Sequence, residues 1–137
     1  MRVVGLDLGS RRIGVAVSDS GGSVATPRTV LERSGDPDVD RAAVADLVRD
    51  VEAELVVVGL PLSQDGTMGP AARAAAEEAA ALADVLAVPV ETYDERLTTV
   101  TADRSLMQLR MKAGARRRVV DKVAAAVMLQ SWLDRHR

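Results

Sequence analysis

Asp7, the adjacent pair Asp94 and Glu95, and Asp121 are the residues in this chain best placed to do chemistry. Asp7 sits inside an apolar run, Val3-Val-Gly-Leu-Asp-Leu8, with Gly5 and Gly9 two residues to either side. Strand alternation puts Val4, Leu6 and Leu8 on one face and Val3, Gly5, Asp7 and Gly9 on the other. An ionised carboxylate within a sheet is costly unless it is hydrogen-bonded, paired or bound to a metal. The neighbouring glycines predict an open face on which something can approach it closely. Asp94 and Glu95 follow a second strand-like segment, and ligands of open α/β sheets bind beyond the carboxyl ends of such strands. Asp121 shares a helical face with Ala124, Ala125 and Met128, at i+3, i+4 and i+7. Taken singly, an acidic dipeptide can cap a strand and an acid near a helix N-terminus can complement its dipole. Taken together, they form the all-oxygen ligand set that Mg²⁺ or Mn²⁺ prefers. Two such ions about 4 Å apart would serve phosphoryl transfer without a histidine.

Composition narrows the alternatives. The chain has no Cys, which removes disulfides, thiolate metal sites and cysteine nucleophiles. His136 is the only histidine and stands next to the last residue, so histidine-based triads and His-rich metal sites are excluded. Tyr93 and Trp132 are the only aromatics, too few for the stacking platforms of single-strand binders. No run approaches the roughly 18 apolar residues of a membrane span, and no signal-peptide pattern opens the chain. A cytoplasmic location with no membrane partner is therefore expected.

Charge is divided along the chain. Residues 36–95 hold 14 acids and 3 bases, whereas residues 96–122 hold 8 bases against Asp103 and Asp121. The basic stretch reads either as a surface for a polyanion or as a solvated charged loop. The preference for Arg over Lys can reflect codon bias, so the clustering is the stronger signal. Arg116, Arg117 and Arg118 would stand at the start of the last helix, where positive charge is disfavoured unless an anion such as phosphate lies near.

The elements that must position these residues follow from local pattern. Residues 2–8 and 12–18 predict a hairpin turning near Ser10–Arg12, with Ile13, Val15 and Val17 on one face and Gly14, Ala16 and Ser18 on the other. The small face either exposes Asp7 on a low-relief surface or lets a helix pack closely. A third strand is expected over 24–31, and a helix from about Val39 to Ala53 with Val44, Leu47, Val48 and Val51 on one side. Leu55–Leu60 is a continuous apolar run typical of a buried parallel strand. A polar loop over 61–70 is read mainly as a turn, with substrate contact as the alternative. An Ala-rich helix over 71–86, a strand over 88–93, a helix within 98–110 and a last helix over 117–135 complete the order. A single domain over residues 1–137, with a mixed sheet covered by helices, is the implied α/β architecture.

Four segments in this order, GLDLGSRRIGVAVSD, VVVGLPLSQDGTMG, YDERLTT and VDKVAAAVMLQSWLD, resemble the YqgF/RuvX family across essentially the whole chain. Its members are described as pre-16S rRNA nucleases or Holliday-junction resolvase-like proteins. The resemblance implies a ribonuclease H-like fold, a five-stranded mixed sheet flanked by helices. It places the catalytic, metal-binding acids on Asp7, Glu95 and Asp121, with Asp94 as an additional candidate ligand. It also places Arg11, Arg12, Arg96 and Arg116–Arg118 against a nucleic-acid backbone. The implied function is a nuclease, using Mg²⁺ or Mn²⁺ (two ions), that processes the 5′ end of pre-16S rRNA in ribosome biogenesis. The alternatives are a resolvase of branched DNA, which would act as a symmetric dimer, and a non-catalytic module for nucleic acid or ribosomal particles. Nothing in the sequence decides between monomer and homodimer. The opening hairpin also resembles the phosphate-binding start of sugar kinases and actin-like ATPases, but those enclose ATP between two such domains.

Overall fold

The structure is a computed structural model that describes residues 1–98 and 113–136, except for the side chains of 113–119. Its centre is a five-stranded sheet in the order β3-β2-β1-β4-β5. The strands are β1 (Val3–Leu8), β2 (Arg12–Ser18), β3 (Ala25–Glu32), β4 (Leu55–Leu60) and β5 (Val90–Asp94). β1, β2 and β3 form an antiparallel meander, while β4 joins β1 and β5 joins β4 in parallel. The parallel pairs require crossover connections. These are α1 (Pro37–Asp50) and α2 (Pro70–Val85), and α3 (Ala113–Arg135) closes the described chain.

Alternation divides the core as the sequence predicts. Val4, Leu6, Ile13, Val15, Val56 and Val58 pack with Val44, Val48, Ala79 and Leu82 of α1 and α2. On the opposite face Val3, Ala16 and Val57 pack with Ala124, Ala125, Met128 and Leu129 of α3. The sheet is thus one layer between two layers of helix.

Local chemistry sets the boundaries. Asp36 caps α1 by accepting from the Asp38 amide, with Pro37 in the first helical position, so the helix starts two residues before Val39. It ends at Asp50 rather than Ala53, and Glu52 takes a left-handed conformation, φ 56°, in the turn beyond it. The last helix is already formed at Ala113, where the described residues resume, and not only from near Arg117, so Arg116, Arg117 and Arg118 lie within it. The helix expected within 98–110 lies, beyond Thr98, outside the described residues. Among the described residues, no helix is long and apolar enough to cross a membrane.

Candidate active site

Three neighbouring strands bring the predicted acids to one face. Asp7 of β1 stands directly opposite Gly14 of β2, so both face the same side of the hairpin. That side carries α3. A Cβ at Gly14 would lie 2.1 Å from the Asp121 carbonyl oxygen and 2.6 Å from its carbonyl carbon. The helix backbone therefore rests on Gly14, the strand partner of Asp7, and that close approach brings Asp121 to the Asp7 side of the sheet. The two sequence readings of the small hairpin face merge: Gly14 admits a helix, and the helix carries an acid. The open face expected beside Asp7 is closed on one side, because Leu129 of α3 occupies the space over Gly5.

Glu95 arrives from the other flank. Leu6 pairs with Val58, so Asp7 and Gly59 follow side by side one residue further along parallel β1 and β4. Gly59 shares the α3 face with Val57. A Cβ there would lie 2.7 Å from Glu95 Oε1 and 3.2 Å from its carboxyl carbon. The Glu95 carboxylate thus lies over Gly59. With strands about 4.8 Å apart, Gly14, Asp7 and Gly59 span about 10 Å of sheet. Gly59 was not singled out from the sequence. Its signal is a glycine interrupting the apolar run Leu55–Leu60, where a larger side chain would otherwise be expected.

Asp94, though next in sequence, does different work. Tyr93 faces α3, where its hydroxyl meets Ser131 Oγ at 2.8 Å, so Asp94 points to the opposite side of β5. Its carboxylate caps the short 3₁₀ turn Glu95–Leu97 through the Arg96 amide, and also binds the Arg96 guanidinium with Nη2 2.7 Å from Oδ2. The Arg96 side chain holds Asp94 below the usual carboxylate range, and Asp94 in turn raises Arg96. Arg96 also donates from Nη1 to the Gln64 carbonyl at 3.2 Å, which ties the β4–α2 loop to this turn. That loop closes on itself: the Ser63 amide donates to Thr67 O, and the Asp65 carboxylate accepts from both the Thr67 hydroxyl and amide. Those two bonds hold Asp65 below its ordinary pKa. Gly66 takes the left-handed conformation, φ 87°, that the turn requires.

The predicted nucleic-acid arginines are placed unequally. Arg12 donates from Nε to Asp121 Oδ2 at 2.9 Å, a pair with both side chains about a quarter exposed. Arg11 is exposed at the hairpin turn. Arg116–Arg118 contribute their backbone to α3 near Asp121, and their side chains lie outside the described residues. The donor set of Asp7, Glu95 and Asp121 is oxygen-only and suits a hard divalent cation, and the Gly59 hollow seats one donor. Among the described residues, however, no three acids are gathered closely enough to enclose an ion. The Asp121 carboxylate is engaged instead by Arg12.

Comparison with known proteins places this geometry in context. A family model described as RuvX, Holliday junction resolvase, matches residues 1–135. A protein of Myxococcus xanthus is 47% identical over 137 residues, covering 100% of this chain and 90% of its own, and its name proposes a pre-16S rRNA nuclease. A protein of Anaeromyxobacter dehalogenans with the same name is 47% identical over 135 residues, or 98% of each chain. Among solved structures, Thermus thermophilus RuvC in complex with a Holliday junction substrate is similar with a TM-score of 0.59. It is 16% identical, over 99% of this chain and 95% of that one. The five-stranded mixed sheet with its helices is accordingly the ribonuclease H-like fold.

Proposed function

This chain belongs to the RuvX family, and from that membership we propose that it is a metal-dependent nuclease that trims the 5′ end of pre-16S rRNA. The observation that carries the reading is the placement of Asp7, Glu95 and Asp121 on one face of the sheet, the α3 face, near the carboxyl ends of parallel β1 and β4. A divalent cation held by these carboxylates supplies Lewis-acid stabilisation of the charge that builds on the phosphoryl oxygens. The protein supplies the rest. Asp7 is fixed by a central strand, Asp121 by a helix backbone seated on glycine, and Glu95 by a 3₁₀ turn that Asp94 caps. Rigid placement of this kind keeps the reacting phosphate and the acids in register. With few aromatics and no recognition-helix motif in the sequence, substrate is recognised by shape and backbone rather than by base sequence.

RNA is favoured over branched DNA by the names of the 47%-identical relatives. The test offers the purified protein a pre-16S rRNA fragment and a four-way DNA junction, each with Mg²⁺ and with Mn²⁺. Cleavage of the RNA is expected. Asp7→Asn should reduce it by about 10²-fold or more, the several kcal/mol that Lewis-acid stabilisation provides, while folding and RNA binding persist. Cutting of the junction alone would overturn the RNA assignment. Binding of RNA with no cleavage by the wild-type protein under either metal would leave a binding module.

A further inference from the structure

Arg12 and Asp121 are held at two fixed points. Arg12 begins β2 and its carbonyl accepts from the Gly9 amide at 2.9 Å, closing the hairpin turn. Arg33 pins the same turn, donating from its amide to Arg11 O at 2.9 Å and from Nε to Gly9 O at 2.7 Å. The Asp121 backbone is seated closely on Gly14. With both backbones seated in this way, rotation of the side chains is enough to break the contact between Arg12 and Asp121. It is a single hydrogen bond from Nε to one carboxylate oxygen, not the bidentate fork by which arginine grips a carboxylate or phosphate best. Both side chains keep some exposure, so an incoming anion can reach the guanidinium.

We propose that Arg12 is a positioning residue that couples phosphate binding to cation binding by holding and releasing Asp121. This rests on the reading of Asp7, Glu95 and Asp121 as cation ligands. In the free protein the guanidinium neutralises Asp121 and repels a second positive charge, so a divalent cation is held by Asp7 and Glu95 without the third acid. A nucleic-acid phosphate offers Arg12 a bidentate partner. Arg12 turns to it, Asp121 is released toward Asp7, and the donor set is completed only when substrate is present. By linkage, the bound cation strengthens phosphate binding by the same factor. The device disfavours a fully loaded site in the absence of substrate.

The test measures Mn²⁺ binding to the whole protein by isothermal titration at fixed ionic strength, without nucleic acid. Arg12→Gln should bind Mn²⁺ about tenfold more tightly than wild type, within the usual range of coupling between two sites. Arg11→Gln removes an equal charge one residue away and should change binding by less than about twofold, since an exposed charge is well screened. In an Asp121→Asn background the gain from Arg12→Gln should vanish. Arg12→Met replaces Arg12→Gln should the latter fold poorly. Equal effects at positions 11 and 12, or a gain that survives Asp121→Asn, would overturn the coupling while leaving the site intact. Mn²⁺ binding unaffected by Asp7→Asn would instead overturn the metal-site reading, and the coupling with it.

Discussion

Two acids adjacent in sequence, Asp94 and Glu95, end up on opposite errands because a strand alternates and then stops. Asp94 is the last residue of β5, turned away from α3 and committed to Arg96, whereas Glu95 opens the 3₁₀ turn and returns to the α3 side over Gly59. The sequence alone left both as candidate ligands, since the choice depends on where the strand ends to within one residue. Gly59 now becomes the test of Glu95. A methyl group there meets the far end of a flexible side chain, 2.7 Å from Oε1, rather than backbone, so the carboxylate can move aside at little cost. Gly59→Ala should leave the urea midpoint near that of wild type, within about 1 kcal/mol. Cleavage should fall by about a hundredfold, because displacements of about 1 Å at a reacting group cost that much. A variant that folds and cuts as well as wild type would show that the position of Glu95 over Gly59 is immaterial.

At the scale of elements, α3 is what converts a hairpin into a site. Its apolar, mostly small face was legible at i+3, i+4 and i+7 from Asp121, and so was the small face of β2. That the two would meet at Gly14 was not legible, because the contact joins the first and last thirds of the chain and no local pattern encodes it. The predicted start of α3 was also late, since the arginines at 116–118 read as a loop boundary although they lie in helix. Gly14→Ala separates this contact from that at Gly59. Its Cβ would strike the Asp121 carbonyl, which belongs to a helix backbone buried along Ala124, Ala125 and Leu129 and cannot yield by a rotamer change. The expected loss is about 3 kcal/mol, the upper end for overpacking, read as a lowered urea midpoint. Because Asp121 rides on the same backbone, activity should fall together with stability. An unchanged midpoint would mean that α3 is not seated on β2 as described.

For the molecule as a whole, the sheet order and the two-layer core follow from patterns that repeat locally, and the connections carry the specific polar chemistry. Among the described residues, four carboxylates are held below their ordinary pKa, and each lies in or beside a connection. Asp19 accepts from the Val24 and Ser23 amides between β2 and β3, and Asp40 from the Ser34 amide before α1. Asp65 organises the β4–α2 loop and Asp94 the turn after β5. A carboxylate with a depressed native pKa stabilises the fold above its unfolded value, near 3.8. That contribution is lost as pH falls through the native pKa. Stability should therefore be nearly level from pH 7 to about pH 5 and decline in stronger acid, with the loops rather than the apolar core as the cause. Asp40 is the most informative of the four, since it is 8% exposed and its Oδ1 joins the β3–α1 connection to the first turn of the helix. Asp40→Asn keeps an acceptor but removes the charge. The variant should be less stable than wild type at pH 7, and the gap should narrow as pH drops below 3.8 and the lowered native pKa of Asp40 is approached. Urea midpoints at pH 7, 4 and 2 measure this directly. A gap of constant size at all three would mean that the shape of the Asp40 side chain, and not its ionisation, secures the connection.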